Sequence, residues 1–524
     1  MSAADTSTTL QFTPIDDIEK IHSALRAGHN SGKLRSLEYR RYQLLQLAYL
    51  VQDNAKRFEE ALSKDLGRPA LESYFLEINA SVSEVKTSYS NVYKWAKPEK
   101  PSFSLNFTFM RPVIYKEAKG VVLIISPFNY PLWLAVGPLA GALAAGNSVM
   151  LKPSESSAAV SALLAELVPK YLDSDLVRVV NGAVPETTKL LSLPWDHILY
   201  TGPGRVGKIV ASAAAKFLTP VSLELGGKSP VIVDPNCDLQ TAARRILWGK
   251  CVNAGQTCVA PDYILVPRSF QDQFVDALVE QYNSFFPNAT PPTPADQFSK
   301  MITPQAFKRV KNLLDATKGS VVIGGETDED KRFIAPTIVR DVSGEDSLMS
   351  EEIFGPILPI LPVENLDEAI AFVNAHDHPL ALYVFSRDQQ FKQRVFQNTK
   401  SGAAVANEVV IHPGADGLPF GGVGPSGYGA HTGKYSFDMF THLRSSLDSP
   451  SWIDYLLSFR FPPYNAKKLK STNQFAVSLP SRPTGPPPII KSGITATSKW
   501  WGKWFILAIA FAVAAKLTKR VKNV

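Results

Sequence analysis

Between residues 120 and 155 the chain alternates in a way that few folds accept. Gly120-Val121-Val122-Leu123-Ile124-Ile125 reads as a buried strand, ended by Ser126-Pro127-Phe128-Asn129-Tyr130-Pro131. The mainly small, apolar stretch from Leu132 to Ala145 reads as a buried helix, and Asn147 to Glu155 as the next strand with its turn. Strand, turn, helix, strand is the unit of a parallel α/β sheet, because parallel neighbours need a crossover between them. The unit recurs with a strand at Leu176 to Val180, a helix at Thr187 to Leu193 and a strand at His197 to Thr201. That last strand runs into Gly202-Pro203-Gly204-Arg205-Val206-Gly207 and a helix from Lys208 to Phe217. Glycines at this spacing, after a strand and before a helix, let backbone N–H groups and a helix N-terminus approach a pyrophosphate.

The flanks fit the same class. Ile15 to about Trp95 is largely helical; Leu44, Leu47, Ala48 and Val51 fall on one helical face, and the piece from Pro98 to Pro112 breaks the pattern. A second α/β region extends from about 230 to 440, with helices near 269–285, 304–316 and 366–374. A chain of 524 residues should hold two to four domains. Its three cysteines, Cys237, Cys251 and Cys258, make no disulfide framework and point to a reducing compartment. No cysteine–histidine cluster has metal-ligand spacing, so no metal is expected. Twelve of the 55 Lys and Arg lie from Arg460 onward, where there is no acid, so the remainder carries 43 positive side chains against 48 negative. A mildly acidic body with a basic tail does not suit nucleic acid. It suits a tail drawn to anionic lipid.

Three stretches carry chemistry. Gly255-Gln256-Thr257-Cys258-Val259-Ala260-Pro261-Asp262-Tyr263 follows a helical segment, Ala242 to Ala254, and sets one cysteine among small and polar residues. A thiol there keeps open space for a substrate carbon, whereas a lone cysteine is more often inert core. Val221 to Gly227 reads as a strand ending in the carboxylate of Glu224, followed by another strand from Ser229 to Val233. Gly421 to Gly427 is too irregular for a phosphate cradle and reads as a surface turn near an active site or interface.

Taken together, Pro127-Phe128-Asn129-Tyr130-Pro131, Lys152-Pro153-Ser154-Glu155, Glu224-Leu225-Gly226-Gly227-Lys228, Gly255-Gln256-Thr257-Cys258 and Glu351-Glu352-Ile353-Phe354-Gly355-Pro356 resemble the aldehyde dehydrogenase superfamily. The nearest branch is the class 3, fatty aldehyde one, over roughly residues 20 to 465. The resemblance implies that Cys258 attacks the aldehyde carbon, and that the Asn129 amide with the cysteine N–H stabilises the oxyanion. Hydride passes to nicotinamide, leaving a thioester, and Glu224 activates the water that releases the acid. Lys152 and Glu155 match the pair on the adenosine ribose, which tilts the cofactor to NAD, with NADP also used in this class. Glu352 matches the residue holding the nicotinamide ribose, and Phe354 the ring beside it. Gly202 and Gly207 match a turn usually written Gly-x-Thr-x-x-Gly; Gly204 replaces the Thr and Pro203 a small polar residue. Phe128 stands where many relatives carry Trp.

The implied fold is α/β. A Rossmann-type NAD-binding domain spans 15–227, with a strand extension near 111–118, and an α/β catalytic domain spans 228–415. An oligomerisation segment (416–448), a gating helix region (449–470), a linker (471–498) and an anchor helix (499–520) follow. The strands Arg111 to Lys116 and about 434–446 imply a homodimer. The linker is rich in Ser, Thr and Pro. Beyond it, twelve uncharged residues from Trp504 to Ala515 give about 18 Å of helix against roughly 30 Å of hydrocarbon. Length alone favours a helix lying in the interface. Snorkelling Lys503 and Lys516, and the tryptophans Trp500, Trp501 and Trp504, favour a membrane anchor instead. A membrane-associated enzyme with its catalytic body facing the cytosol follows, with the endoplasmic reticulum, lipid droplet and mitochondrial outer membrane all open. Long-chain fatty aldehydes are the expected substrates, with apocarotenoid aldehydes as runner-up. A cofactor-independent thiol esterase and an inactive membrane scaffold are the other readings; the Lys152, Glu155 and Glu352 set opposes the first, and intact Cys258 and Glu224 the second.

Overall fold

Parallel strands gather the candidate residues along two facing sheet edges. The structure is a computed structural model and describes residues 10–104, 107–287, 298–475 and 478–486. It divides into the units Met1–Ser458 and Phe459–Val524.

In the first unit, a six-stranded sheet runs in the order Gly427–Tyr428, Val221–Glu224, His197–Thr201, Val121–Ile125, Ser148–Lys152, Val177–Val179. All neighbours are parallel except the short first strand. Val121–Ile125 is buried throughout, as a strand covered on both faces must be. The helix Trp133–Ala145 is hydrophobic all round and almost wholly buried; Gly146, with φ +94°, ends it in the left-handed conformation that suits glycine. A second sheet of seven strands runs Ala403–Ala406, Ala381–Phe385, Pro230–Val233, Tyr263–Pro267, Ile357–Val363, Thr337–Arg340, Ser320–Ile323, parallel but for the last. Val113–Ala118 and Thr441–Ser446 pair antiparallel as a two-stranded ribbon.

Three expectations shift. The helix after the glycine-rich turn begins at Gly204, not Lys208, because Pro203 (φ −68°) already has the dihedral that leads into a helix. Gly207 is therefore a helix residue, and the turn is only Gly202 and Pro203. The helix expected at Thr187 begins at Val184, where the Glu186 carboxylate accepts the Ala183 N–H at 2.7 Å. Only Thr441–Ser446 of the expected strand 434–446 is extended; Lys434–Met439 is helical.

The stretch from Trp452 holds a short helix, Ile453–Leu457, then a 3₁₀ turn at Ser458–Arg460. In the second unit, Ala466–Ser471 is helical, with the Asn465 side chain accepting the Lys468 N–H at 3.0 Å. Among the described residues no helix is long and apolar enough to cross a membrane. The expected anchor helix, 499–520, lies outside the described residues.

Candidate active site

Parallel strands present their carboxyl ends to one side, the usual place for ligands in such sheets. Ile125, Lys152, Thr201 and Glu224 are each the last residue of a neighbouring strand, so Asn129, four residues past Ile125, shares that edge with Lys152 and Glu224. The second sheet offers the opposite end: Cys258 comes shortly before the strand Tyr263–Pro267, and Glu352 and Phe354 before Ile357–Val363.

Side-chain contacts join the two edges. The Asn253 amide donates to the Asn129 carbonyl and to the Gln256 carbonyl, both at 3.0 Å. Tyr130 and Thr257 share a hydroxyl hydrogen bond of 2.8 Å. Phe128 and Phe354 meet edge to face, with centroids 5.9 Å apart. A Cβ on Gly226 would stand 2.2 Å from a Glu352 carboxylate oxygen, so the carboxylate occupies the space that a side chain there would need.

The loop that carries Cys258 is held from several sides. Asn253, Ala254 and Gly255 are consecutive left-handed residues, with φ of 52°, 52° and 70°, which turn the chain sharply after the helix Leu239–Cys251. A Gly255 Cβ would lie 2.2 Å from the Gly355 carbonyl. Glu72 accepts the Asn253 N–H at 3.0 Å, and Tyr383 donates to the Val259 carbonyl at 2.6 Å. Behind Asn129, fully buried Arg68 donates to the Asn129 carbonyl and to Glu77, whose other oxygen takes the Leu132 and Trp133 N–H groups at 3.0 and 2.8 Å. The Asn129 side-chain amide has no hydrogen-bond partner among the described residues, leaving its donor uncommitted.

Electrostatics bring the sulfur and the carboxylates together. Cys258 is half-buried, and burial pushes its thiol up to about 12, with the charges of Glu352 and then Glu224 adding to the rise. The N–H groups of Cys258 and Val259 oppose that rise by hydrogen-bonding the sulfur. Glu224 is 2 % exposed, not a surface acid, and neither of its oxygens finds a partner among the described residues. Burial alone holds its carboxyl well above the usual range. Glu352 is raised to about 8, by burial first and then by Asp262, while the Gly227 N–H, Lys228 and Lys250 pull it back. A thiol and two carboxyls that are all raised by burial, and that act on one another electrostatically, are the pattern of a functional site.

The remaining residues form a cradle. Lys152 Nζ lies 2.7 Å from Glu155. The Gly202 N–H donates to the Glu224 carbonyl at 3.1 Å, and a Cβ on Gly202 would stand 2.4 Å from the Tyr200 hydroxyl. A Cβ on Gly207 would press Leu225 at 2.9 Å. Bare backbone at Gly202 and Gly226, with a cation–anion pair beyond, suits a dinucleotide. The loop Gly421 to Gly427 closes this side, with Gly427 opposite Glu224 in register.

Sequence reading missed the scaffold. Arg68, Glu77 and Asn253 read as helical polar residues, and Asp262 as part of the cysteine stretch. Lys228 binds Asp262 at 2.5 Å, and the carbonyls of Leu348 and Glu351 at 2.7 and 2.9 Å. Arg309 takes the carbonyls of Glu352 and Ile353 at 3.1 and 2.7 Å.

The family model described as "Aldehyde dehydrogenase family" matches residues 4–446. "Aldehyde dehydrogenase family 3 member B1" of Rattus norvegicus is 45% identical over 456 residues, covering 87% of this chain and 97% of the relative. "Aldehyde dehydrogenase, dimeric NADP-preferring", also of Rattus norvegicus, is 46% identical over 442 residues, covering 84% and 97%. Among solved structures, the substrate-bound state of Staphylococcus aureus AldH superposes with a TM-score of 0.84 at 39% identity, covering 87% of this chain and 99% of that one.

Proposed function

The chain belongs to the aldehyde dehydrogenase family, and we propose that it oxidises long-chain aliphatic aldehydes to their acids from a membrane surface. Aldehyde oxidation with NAD or NADP follows from the family. The substrate class, the residue roles and the membrane attachment are our reading. Its main support is that the turn of Asn129 is tied to the turn of Cys258 by Asn253 and by the Tyr130–Thr257 bond, and that the Cys258 thiol feels both Glu352 and Glu224.

In this reading the Cys258 sulfur gives up its proton to solvent water and bonds to the aldehyde carbon, whose C=O π pair moves to oxygen. The oxyanion takes hydrogen bonds from the Asn129 amide and the Cys258 N–H, each such donor contributing on the order of 3 kcal/mol to the barrier. A bound dinucleotide would supply the acceptor for the hydride that leaves this carbon as the oxyanion collapses, which leaves the acyl group on Cys258 as a thioester. Lys152 and Glu155 would hold its adenosine ribose and Glu352 the nicotinamide ribose, with Phe354, which packs edge to face on Phe128, beside it. Glu224, once ionised, takes a proton from water as that water attacks the thioester, and Cys258 leaves as product acid forms.

Exposed apolar side chains near the short helix Ile453–Leu457 support a lipid-soluble substrate. Trp452 packs on Phe109 with ring centroids 5.4 Å apart, and Tyr455 and Leu456 are exposed. The ribbon strands Val113–Ala118 and Thr441–Ser446, together with a relative named dimeric, support a homodimer. The test is turnover across aldehydes of increasing chain length, with an apocarotenal included. Rising kcat/KM towards long saturated chains is expected; a preference for short or aromatic aldehydes would refute the substrate class. Fusion of residues 495–524 to a fluorescent protein tests the address.

A further inference from the structure

Arg68 and Glu77 stand far from Cys258 in the sequence, yet together they hold the turn of Asn129 at four points. Their side chains are fully buried and paired with each other. Arg68 comes just after the helix Ala55–Leu66. Glu77 lies in a π-helical turn, Tyr74–Ile78, set between the helices Ala70–Ser73 and Asn79–Trp95. Such widened turns are rare and frequently accompany functional sites.

One terminal nitrogen of Arg68 donates to Glu77, and the other donates to the Asn129 carbonyl. The guanidinium also lies over the Tyr130 ring, 4.9 Å from its centroid. Tyr130 in turn shares a 2.8 Å hydrogen bond with Thr257, the residue before Cys258. The second oxygen of Glu77 accepts the Leu132 and Trp133 N–H groups at 3.0 and 2.8 Å. These open the helix Trp133–Ala145, where the Leu132 side chain offers no cap, so the carboxylate serves as one at the positive end of the helix.

The Asn129 carbonyl is thus gripped from two sides, by Arg68 and by Asn253. A carbonyl with both lone pairs engaged fixes its peptide plane, and with it the Cα that carries the side-chain amide. Packed apolar side chains would join the same helices at least as firmly as a buried ion pair. They could not bond the carbonyl and the two N–H groups.

We propose that Arg68 and Glu77 are positioning residues that aim the Asn129 amide at the oxyanion, acting through the backbone of its turn. This rests on the oxyanion role given to Asn129 above.

The test is single-turnover NADH formation by the full-length protein, in excess over a saturated long-chain aldehyde, beside equilibrium NAD binding. Arg68→Met/Glu77→Gln buries no unpaired charge and keeps an acceptor for the two N–H groups. It should slow NADH formation about tenfold or more, while NAD affinity stays within about twofold. Should that variant fail to fold, Arg68→Lys keeps the charge but replaces a two-armed fork by one head, and should slow the step several-fold. Asn129→Ala should slow it about 10²–10³-fold. Added to Asn129→Ala, either Arg68 variant should cost less than about twofold more, because the amide it aims is gone. A wild-type rate in a folded Arg68 variant overturns the inference. So does a loss that adds in full to that of Asn129→Ala, or one matched by an equal loss of NAD affinity. Asn129→Ala at the wild-type rate instead removes the oxyanion role of Asn129, a separate failure.

Discussion

The Asn253 side-chain amide donates to the Asn129 carbonyl at 3.0 Å, tying the turn of Asn129 to the turn of Cys258 across 124 residues of sequence. The sulfur and the amide proposed to act on one carbon are thus registered by a third side chain. Asn253 also sits at φ 52°, a conformation that asparagine tolerates better than most residues.

Asn253→Ala should therefore lose two buried hydrogen bonds and gain backbone strain. A stability loss of about 2–3 kcal/mol is expected in urea unfolding. A fall in kcat of more than about tenfold should accompany it, since misplacing reacting groups slows chemistry. Unchanged kcat in a folded variant would show that the two turns are registered by other contacts.

Arg68 and Glu77 form a pair with no exposed side-chain surface. Arg68→Met leaves a buried carboxylate unpaired, at a cost of about 3–5 kcal/mol near neutral pH. Burial already raises Glu77 above its ordinary value in the folded protein, and losing Arg68 raises it further. A group raised in the folded state stabilises at low pH and loses that contribution as pH rises through its folded value. The deficit of Arg68→Met should therefore shrink towards pH 5 and grow towards pH 8 in thermal unfolding. A pH-independent deficit would mean that lost packing, not charge, dominates.

Both carboxylates raise the Cys258 thiol. Above pH 8, where Glu352 is ionised, Glu352→Gln should speed alkylation of Cys258 by iodoacetamide several-fold, because one less negative charge favours the thiolate. Below pH 7 Glu352 holds its proton and the effect should vanish. Slower alkylation above pH 8 would reverse the sign assigned to Glu352.

Gly226→Ala places a methyl group on the Glu352 carboxylate. Weaker NAD binding, by roughly tenfold, is expected with little loss of stability, because the carboxylate is the movable partner. Equal affinity would show that Glu352 holds the cofactor from another position.

The elements that bear chemistry were legible because each ends a strand or opens a turn. The run Val121–Ile125 announced its own burial, and Glu224 followed from the strand Val221–Glu224 and its Gly226-Gly227 exit. Arg68, Glu77 and Lys250 were not legible. A charged residue in a helical pattern reads as a solvated face, and only the long-range partners at Asn129, Leu132 and Asp262 bury them. Nor does sequence show that Glu224 is left without a hydrogen bond. The start of the helix at Gly204 was missed by four residues because glycine there was read as loop, although Pro203 had already set the entry angle.

The most direct measurement is a rapid-mixing experiment on Glu224→Gln with a long-chain aldehyde and NAD. If Cys258 is the nucleophile and Glu224 the base for hydrolysis, the variant should release one equivalent of NADH per site and then stall, its steady rate reduced about 10²–10⁴-fold. Mass spectrometry should find the acyl group on the peptide carrying Cys258. Continued turnover at the wild-type rate, or acyl label on any other residue, would contradict the shared crevice of sulfur, amide and carboxylate.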